Sequence, residues 1–241
     1  MTDPGPEQPE APDGGAMGLA VEAPAGISDR RPHHDLKHLV FIGMPGSGKS
    51  TQAGRLAVHL GIPHVEAGEL VRQEAMEHTP LGESANRYMQ EGDLVPDDVM
   101  VAVMLPRLSS ELAGGYVLDG FPRNLVQALA LEHASLIPGA TVDAAIYLDV
   151  EVDEVRRRLA QRSVGQGRDD DGPSIMEHRL SVFEDQTRPL RKYYSLRRRL
   201  VTVNAGRAVD EVFLDILAAL DQLVIERNAD GDVSPENHAA T

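Results

Sequence analysis

The run Gly43-Met44-Pro45-Gly46-Ser47-Gly48-Lys49-Ser50-Thr51 fits the spacing G-x-x-x-x-G-K-[ST], with Gly43, Gly48, Lys49 and Ser50 at the fixed positions. Residues of these types at this spacing can hold a polyphosphate. Backbone N–H groups wrap phosphate oxygens only where side chains do not block the approach, so glycines recur. A helix that follows adds unpaired donors in its first turn and the positive end of its dipole. Lys49 reaches terminal phosphates in such a loop, and Ser50 has a hydroxyl to offer Mg²⁺.

Other charged residues stand where they could join that chemistry. Asp119 ends a hydrophobic run, where a carboxylate can hold Mg²⁺ or its waters opposite the loop; a turn or helix-capping Asp before Gly120 reads equally well. Gly120-Phe121-Pro122-Arg123 puts an arginine just past the same strand end, at the sheet edge where doubly wound proteins bind ligands. Arg72 falls on a helix after the second strand and faces the same edge, unless it is only a solvated charge. Arg158 and Arg162 share one helix face by their i,i+4 spacing. Arg168 lies in a Gly165/Gly167 loop, and Arg179 follows it. Arg156, Arg157 and Arg197–Arg199 are as basic, so spacing alone does not separate catalytic from surface arginines.

The elements that must position these groups alternate along the chain. Strands are predicted at 38–43, 64–66, 116–119, 144–150 and 200–203, and helices at about 49–60, 68–77, 81–91, 97–109, 125–134, 151–162 and 208–226. A long helix starts near Pro173 and breaks at Pro189. Apolar rather than alternating strands, separated by helices, predict an α/β fold with a doubly wound parallel sheet of about five strands and helices on both faces. Residues 1–36 are rich in Pro, Gly, Ala and acid and predict a disordered tail, as does 228–241. His34 and His38 are four apart, but Pro32 and the strand at His38 argue against the helix that a metal pair would need.

Composition sets the remaining bounds. The 241 residues carry a formal charge of −15, with neither Cys nor Trp. An acidic chain is a poor candidate for nucleic acid, and no leading apolar run suggests a signal peptide or a membrane span, so the cytosol is the expected setting. Without Cys there is no disulfide framework and no thiolate metal site. Only three of the 23 basic residues are lysines (Lys37, Lys49, Lys192), a bias that suits phosphate contacts and that an Arg-favouring coding preference would equally give.

Gly43 to Gln52, Ala67-Gly68-Glu69-Leu70-Val71-Arg72, Leu94-Val95-Pro96, Leu118-Asp119-Gly120-Phe121-Pro122-Arg123 and Arg168-Asp169-Asp170 resemble, in order and spacing, the adenylate kinase family. The likeness spans roughly 38–226. It implies a phosphate-loop nucleoside monophosphate kinase domain over 37–227, with a helical acceptor-binding insert at about 67–96 and a short lid at about 163–173. The reaction implied is Mg²⁺-dependent transfer from ATP to a nucleoside monophosphate, with AMP the expected acceptor. A UMP/CMP or broad-specificity kinase is the alternative, and a non-catalytic nucleotide-binding module the second. The resemblance also implies a monomer with ATP and a nucleoside monophosphate as its only partners. The family's long lids sometimes carry zinc through cysteines; this short, Cys-free lid implies no structural zinc.

Carried over by position, the likeness assigns roles. Gly43, Pro45, Gly46, Ser47, Gly48, Lys49, Ser50 and Thr51 would bind the ATP phosphates, and Ser50 and Asp119 the Mg²⁺. Arg158 would lie against the donor adenine, and Arg207 would contact it through its backbone. Arg72 and Arg123 would grip the acceptor phosphate beside Gly120. Arg162, Arg168 and Arg179 would close on the transferring group. Gln127 would read the acceptor base, which Ala67, Leu94 and Val95 would line. Three positions depart from the usual adenylate kinase pattern. Ser50 stands where the family usually has Gly. Ala67 and Asn124 are what UMP/CMP kinases tend to have, yet those enzymes usually carry Asp and Asn where this chain has Val126 and Gln127.

Overall fold

Apolar runs with no polar face become the middle of the sheet. In the computed structural model, which describes residues 31–91, 93, 95–110, 114–134, 141–166 and 173–229, all six residues of β1 (His38–Gly43) are buried. β2 (His64–Glu66), β3 (Tyr116–Asp119), β4 (Ala144–Asp149) and β5 (Leu200–Asn204) complete a five-stranded sheet in the order β2-β3-β1-β4-β5. All four pairings are parallel. Burial of β1 and β3 along their whole length means both sheet faces are covered, as a parallel sheet requires. The register aligns Phe41, Asp119 and Glu66 in one row across β1, β3 and β2. Two carboxylates therefore face the same carboxyl edge.

α1 (Lys49–Leu60) follows the glycine loop and buries Gln52, Ala53, Leu56, Ala57 and Leu60, the spacing of one helical face. Gly61 ends it at φ +66°, where its N–H bonds back to Ala57 and Val58. α9 (Val209–Ala229) packs beside α1 and against β5 through Val212, Ile216, Leu220 and Leu223.

Between β2 and β3 lie α2 (Ala67–Met76), α3 (Pro80–Glu91) and α4 (Asp97–Ser110). Thr79 separates the first two by capping a donor in the first turn of α3: its Oγ1 accepts the Gly82 N–H at 3.0 Å and donates to Glu74 at 2.8 Å. Pro80 then occupies a first-turn position that needs no N–H. Gly82 lets α3 cross α2 closely, because a Cβ there would sit 2.1 Å from the Glu74 carbonyl carbon.

After β3 come α5 (Leu125–Ala134) and, beyond β4, α6 (Val152–Gln166). The latter runs past the expected end at Arg162, so four residues of the expected lid are helical, and 167–172 lie outside the described residues. The long helix near Pro173 also differs. It forms α7 (Pro173–Val182), a π-helical segment (Phe183–Thr187) and α8 (Pro189–Leu196), so the irregularity precedes Pro189. The Arg188 N–H reaches back to Phe183 O at 2.9 Å, a five-residue closure just before the proline that cannot donate.

The expected tail boundary at 36 also shifts. Pro32–Asp35 forms a helical turn, with His33 and Leu36 buried. What holds it is Asp221 of α9, which accepts the His33 backbone N–H at 3.1 Å. That partner is 188 residues away in sequence, beyond the reach of a local reading. Residues 1–30 and 230–241 lie outside the described residues, and α9 runs to Ala229, two residues past the expected domain end. No helix among the described residues is long and apolar enough to cross a membrane.

Candidate active site

The glycine loop turns from β1 into α1 with Gly46 at φ +78° and Gly48 at φ +96°, conformations that favour glycine. At Gly46 the requirement is also steric, since a Cβ would lie 2.7 Å from the Leu159 side chain of α6. Lys49, at the first position of α1, folds over this loop and donates to Gly43 O and Met44 O, each at 2.8 Å. Burial at the cleft floor pushes its pKa down to about 8, with Asp119 and Glu66 opposing the fall and Arg123 adding to it. Ser47 Oγ is buried within the loop and has no hydrogen-bond partner among the described residues. A buried hydroxyl left so is costly unless an oxygen ligand meets it.

Opposite the loop, Asp119 at the end of β3 is buried and accepts a hydrogen bond from Ser50 Oγ. A hydroxyl and a carboxylate side by side form an all-oxygen donor set. Such a set fits Mg²⁺, which takes oxygen ligands and keeps several waters.

The cleft floor continues from the loop to α2 and α5 through Ala67, Val71, Val95, Met100, Gly120, Arg123 and Gln127. Ala67 is fully buried and Val95 nearly so, and Leu94 lies outside the described residues. Arg72 lines the same cleft and is held by two carboxylates, Glu69 at 2.7 Å and Glu66 at 3.1 Å. Arg123 turns back on its own strand end and donates to Gly120 O at 2.9 Å. Arg179 reaches the cleft from α7, beside Val182, Phe183 and Thr187.

Gln127 is buried and oriented without ambiguity. Its Oε1 accepts the Arg123 backbone N–H at 2.8 Å, and its Nε2 donates to Asp97 Oδ1 at 2.9 Å. Asn124 is occupied differently: Oδ1 accepts the Gln127 N–H at 2.9 Å, capping α5, while Nδ2 donates to the same Asp97 oxygen at 2.7 Å. Asp97 thus orders both amides, a part that sequence reading missed. Its position after Pro96 signalled only an acid in the first turn of a helix. Glu66 and Glu69 were also missed as partners of Arg72, although the i,i+3 spacing of Glu69 and Arg72 announces that pair.

Two predicted residues, Arg158 and Arg207, lie at or beside the loop that follows β5. Arg158 on α6 donates to Glu154 at 2.7 Å and to Ala205 O at 2.8 Å, so it ties that helix to the loop after β5. Arg207 lies in that loop, its side chain paired outward with Asp215 at 2.6 Å and Glu211 at 3.1 Å. Arg162 is placed on α6 by its backbone alone, and Arg168 lies outside the described residues.

Comparison with known proteins gives a consistent result. A family model described as Adenylate kinase matches residues 41–199. A protein named Adenylate kinase from Stenotrophomonas maltophilia (strain R551-3) is 40% identical over 183 residues, covering 76% of this chain and 98% of the relative. The same name, identity and coverage hold for a protein from Xylella fastidiosa (strain 9a5c). A relative from Xanthomonas euvesicatoria pv. vesicatoria (strain 85-10), also named Adenylate kinase, is 41% identical with equal coverage.

Proposed function

The chain belongs to the adenylate kinase family, and from that premise we propose that its cleft transfers the γ-phosphoryl group of ATP to AMP, giving two molecules of ADP. The observation that carries the reading is one of convergence. The glycine loop with Lys49, the Ser50–Asp119 pair, and Arg72, Arg123 and Arg179 all line one cleft. Three arginines and a lysine gather there in a chain of charge −15. An anion is the ligand such a gathering suits.

In this reading the loop amides and Lys49 hold the ATP phosphates, and the partnerless Ser47 hydroxyl meets a phosphate oxygen. Ser50 and Asp119 would hold Mg²⁺ or its waters; the ion, when bound, neutralises charge on the β- and γ-phosphates. Arg72 and Arg123 bind the acceptor phosphate, and Arg72 exchanges its carboxylate partners for it. Arg179, with Arg162 and Arg168 from α6 and the lid, balances charge on the equatorial oxygens of the transferring group. Little covalent work falls to the protein. It aligns the acceptor oxygen with γ-phosphorus, stabilises spread negative charge and keeps water out.

At the acceptor base, Gln127 keeps one amide hydrogen and one lone pair beyond its bonds to Asp97 and Arg123, enough for an adenine edge. A pyrimidine acceptor is the second reading, and buried Ala67, which brings no hydroxyl, is what favours it. Asn124 adds little to that reading, because it is spent on the cap of α5. A coupled assay of ADP formation from ATP with AMP, CMP, UMP and GMP tests the proposal. AMP giving the highest kcat/KM is the expected result, and turnover with none of the four would overturn it.

A further inference from the structure

A second group of chemically capable side chains lies away from the cleft. His33 of the Pro32–Asp35 turn is fully buried, and both of its ring nitrogens are engaged. Nδ1 is 2.7 Å from Asp221 Oδ1 on α9, and Nε2 is 3.1 Å from Nε2 of His59 in the last turn of α1. His34 stacks on His33 with ring centroids 4.7 Å apart, and lies 5.2 Å from the His59 ring. One ligand atom from each of the three histidines falls within 4.8 Å of the others. Three segments of the chain thus bring three imidazoles and a carboxylate to one point.

The carboxylate decides the tautomer. Asp221 accepts from Nδ1–H of His33, so the Nε2 lone pair is directed at His59. A carboxylate behind an imidazole, fixing its ring and raising its basicity, is the arrangement that supports a metal-bound histidine. Two Nε2 atoms facing each other can share only one proton between them, and a metal ion replaces that proton.

Distances bear on the fit. Metal–nitrogen bonds of about 2.0–2.1 Å in a tetrahedron place ligand nitrogens roughly 3.3 Å apart. The His33–His59 pair, at 3.1 Å, already meets that requirement. His34 is half-buried and His59 exposed, so the ring of His34 can rotate inward and an ion can enter from solvent. Water would take the fourth position. Nearby Arg31 is offset by Asp221, 3.8 Å from it. The bland alternative is a hydrogen-bonded histidine packed against its neighbours. It accounts for His33 but gives no reason for His34 and His59 to close around the same point.

We propose that His33, His34 and His59 bind one divalent transition-metal ion of the zinc, nickel and copper group, clamping the Pro32–Asp35 turn to α1 and α9. Imidazole donors without carboxylate ligands exclude Mg²⁺ and Ca²⁺ as occupants. The site lies at the far end of α1 from Lys49, about 15 Å along the helix at 1.5 Å per residue. It is therefore separate from the Lys49 end of the cleft, and does not depend on the phosphoryl-transfer reading.

The test is Zn²⁺ titration of chelator-stripped full-length protein by calorimetry, with millimolar Mg²⁺ present throughout. One ion per chain, bound in the micromolar range or tighter, is expected, with a rise of several degrees in Tm. His34→Ala and His59→Asn should each weaken binding at least tenfold and abolish the Tm rise, and His78→Ala, an exposed histidine elsewhere, should change neither. Both test positions are open enough to solvent for the variants to fold, which their metal-free Tm checks. No saturable Zn²⁺ binding by the parent protein, or unchanged affinity in either variant, would overturn the proposal.

Discussion

Ser50 at the start of α1 donates a hydrogen bond to the Asp119 carboxylate at the end of β3, joining the phosphate loop to the neighbouring strand. If the hydroxyl also serves a bound Mg²⁺, its removal should be felt as metal demand. Ser50→Gly should raise the half-saturating Mg²⁺ concentration about fivefold, the size of one lost polar contact near 1 kcal/mol. Its kcat at saturating Mg²⁺ should stay within about threefold. Titration of activity against free Mg²⁺ at fixed ATP measures this, and an unchanged midpoint would leave Ser50 with a purely structural bond.

Much of the fold was legible because its strands are short apolar runs bounded by glycine and proline. β1, at 38–43, needs nothing beyond its own residues to be read. The turn at Pro32–Asp35 was not legible, since only Asp221 and the flank of α1 make burial of His33 favourable. The π-helical segment escaped for a different reason. Leu180, Phe183 and Leu190 are all buried, so the apolar pattern runs through the irregularity without a break. At the cleft, motif spacing located the loop and its cations, but not Asp97 of α4, the carboxylate that holds Asn124 and Gln127 at the start of α5. Pairings across helices follow from packing, which spacing along one helix does not encode.

Lys49→Ala should lower kcat at least a hundredfold, because in the proposed reading it removes a cation aligned with the transferring charge. The ionisation of Lys49 adds a second readout. Its pKa, pushed down to about 8 by burial, means the free protein loses the ammonium as pH rises through that value. The falling limb of kcat/KM for ATP should then have a midpoint near 8. Bound phosphate favours the charged form, so the corresponding limb of kcat should lie at higher pH. Coincident limbs, or no limb below pH 9, would separate Lys49 from catalysis.

In the proposed reading Arg72 must leave Glu66 and Glu69 to bind an acceptor phosphate. Glu69 is largely exposed, so this pair contributes about 0–1 kcal/mol. Glu69→Gln should lower KM for AMP by up to about fivefold and leave KM for ATP unchanged. Arg72→Ala should raise KM for AMP instead. Initial-rate kinetics with each nucleotide varied in turn separates the two. A change confined to ATP would place Arg72 on the other nucleotide.

Truncation should divide the N-terminal region at the helical turn. Residues 1–30 are poor in large apolar side chains and offer little surface to bury, so their deletion should leave Tm and turnover unchanged. Deleting 1–36 removes buried Leu36 as well as His33. Burial of a leucine side chain contributes about 2 kcal/mol, which corresponds to a Tm loss of roughly 4–8 °C in a domain of this size. Calorimetric scans of both truncations in metal-free buffer make the comparison. Equal Tm values would show that the turn adds no stability.

In the proposed reading the choice of base rests on Gln127 and Ala67, both buried residues of the cleft. Gln127 presents a donor and an acceptor whose placement Asp97 and the Arg123 N–H hold fixed, at 2.9 and 2.8 Å. A site that hydrogen-bonds a base edge rejects a mismatched base because its buried polar groups are left unpaired. Ala67 brings no hydroxyl, so one possible contact is missing and the filter should be looser by about 1–3 kcal/mol, roughly ten- to a hundredfold. AMP should therefore be the best acceptor, with CMP or UMP used measurably but less well. Ala67→Thr should sharpen the preference, and Gln127→Ala should flatten it. Asp97→Ala should act like Gln127→Ala although it removes no group offered to the base, because the amide would lose the partner that orients it. The measurement is kcat/KM for AMP, CMP and UMP at fixed ATP in all four proteins. A pyrimidine nucleotide exceeding AMP in the parent protein would mean that the missing hydroxyl at Ala67 outweighs the oriented amide of Gln127.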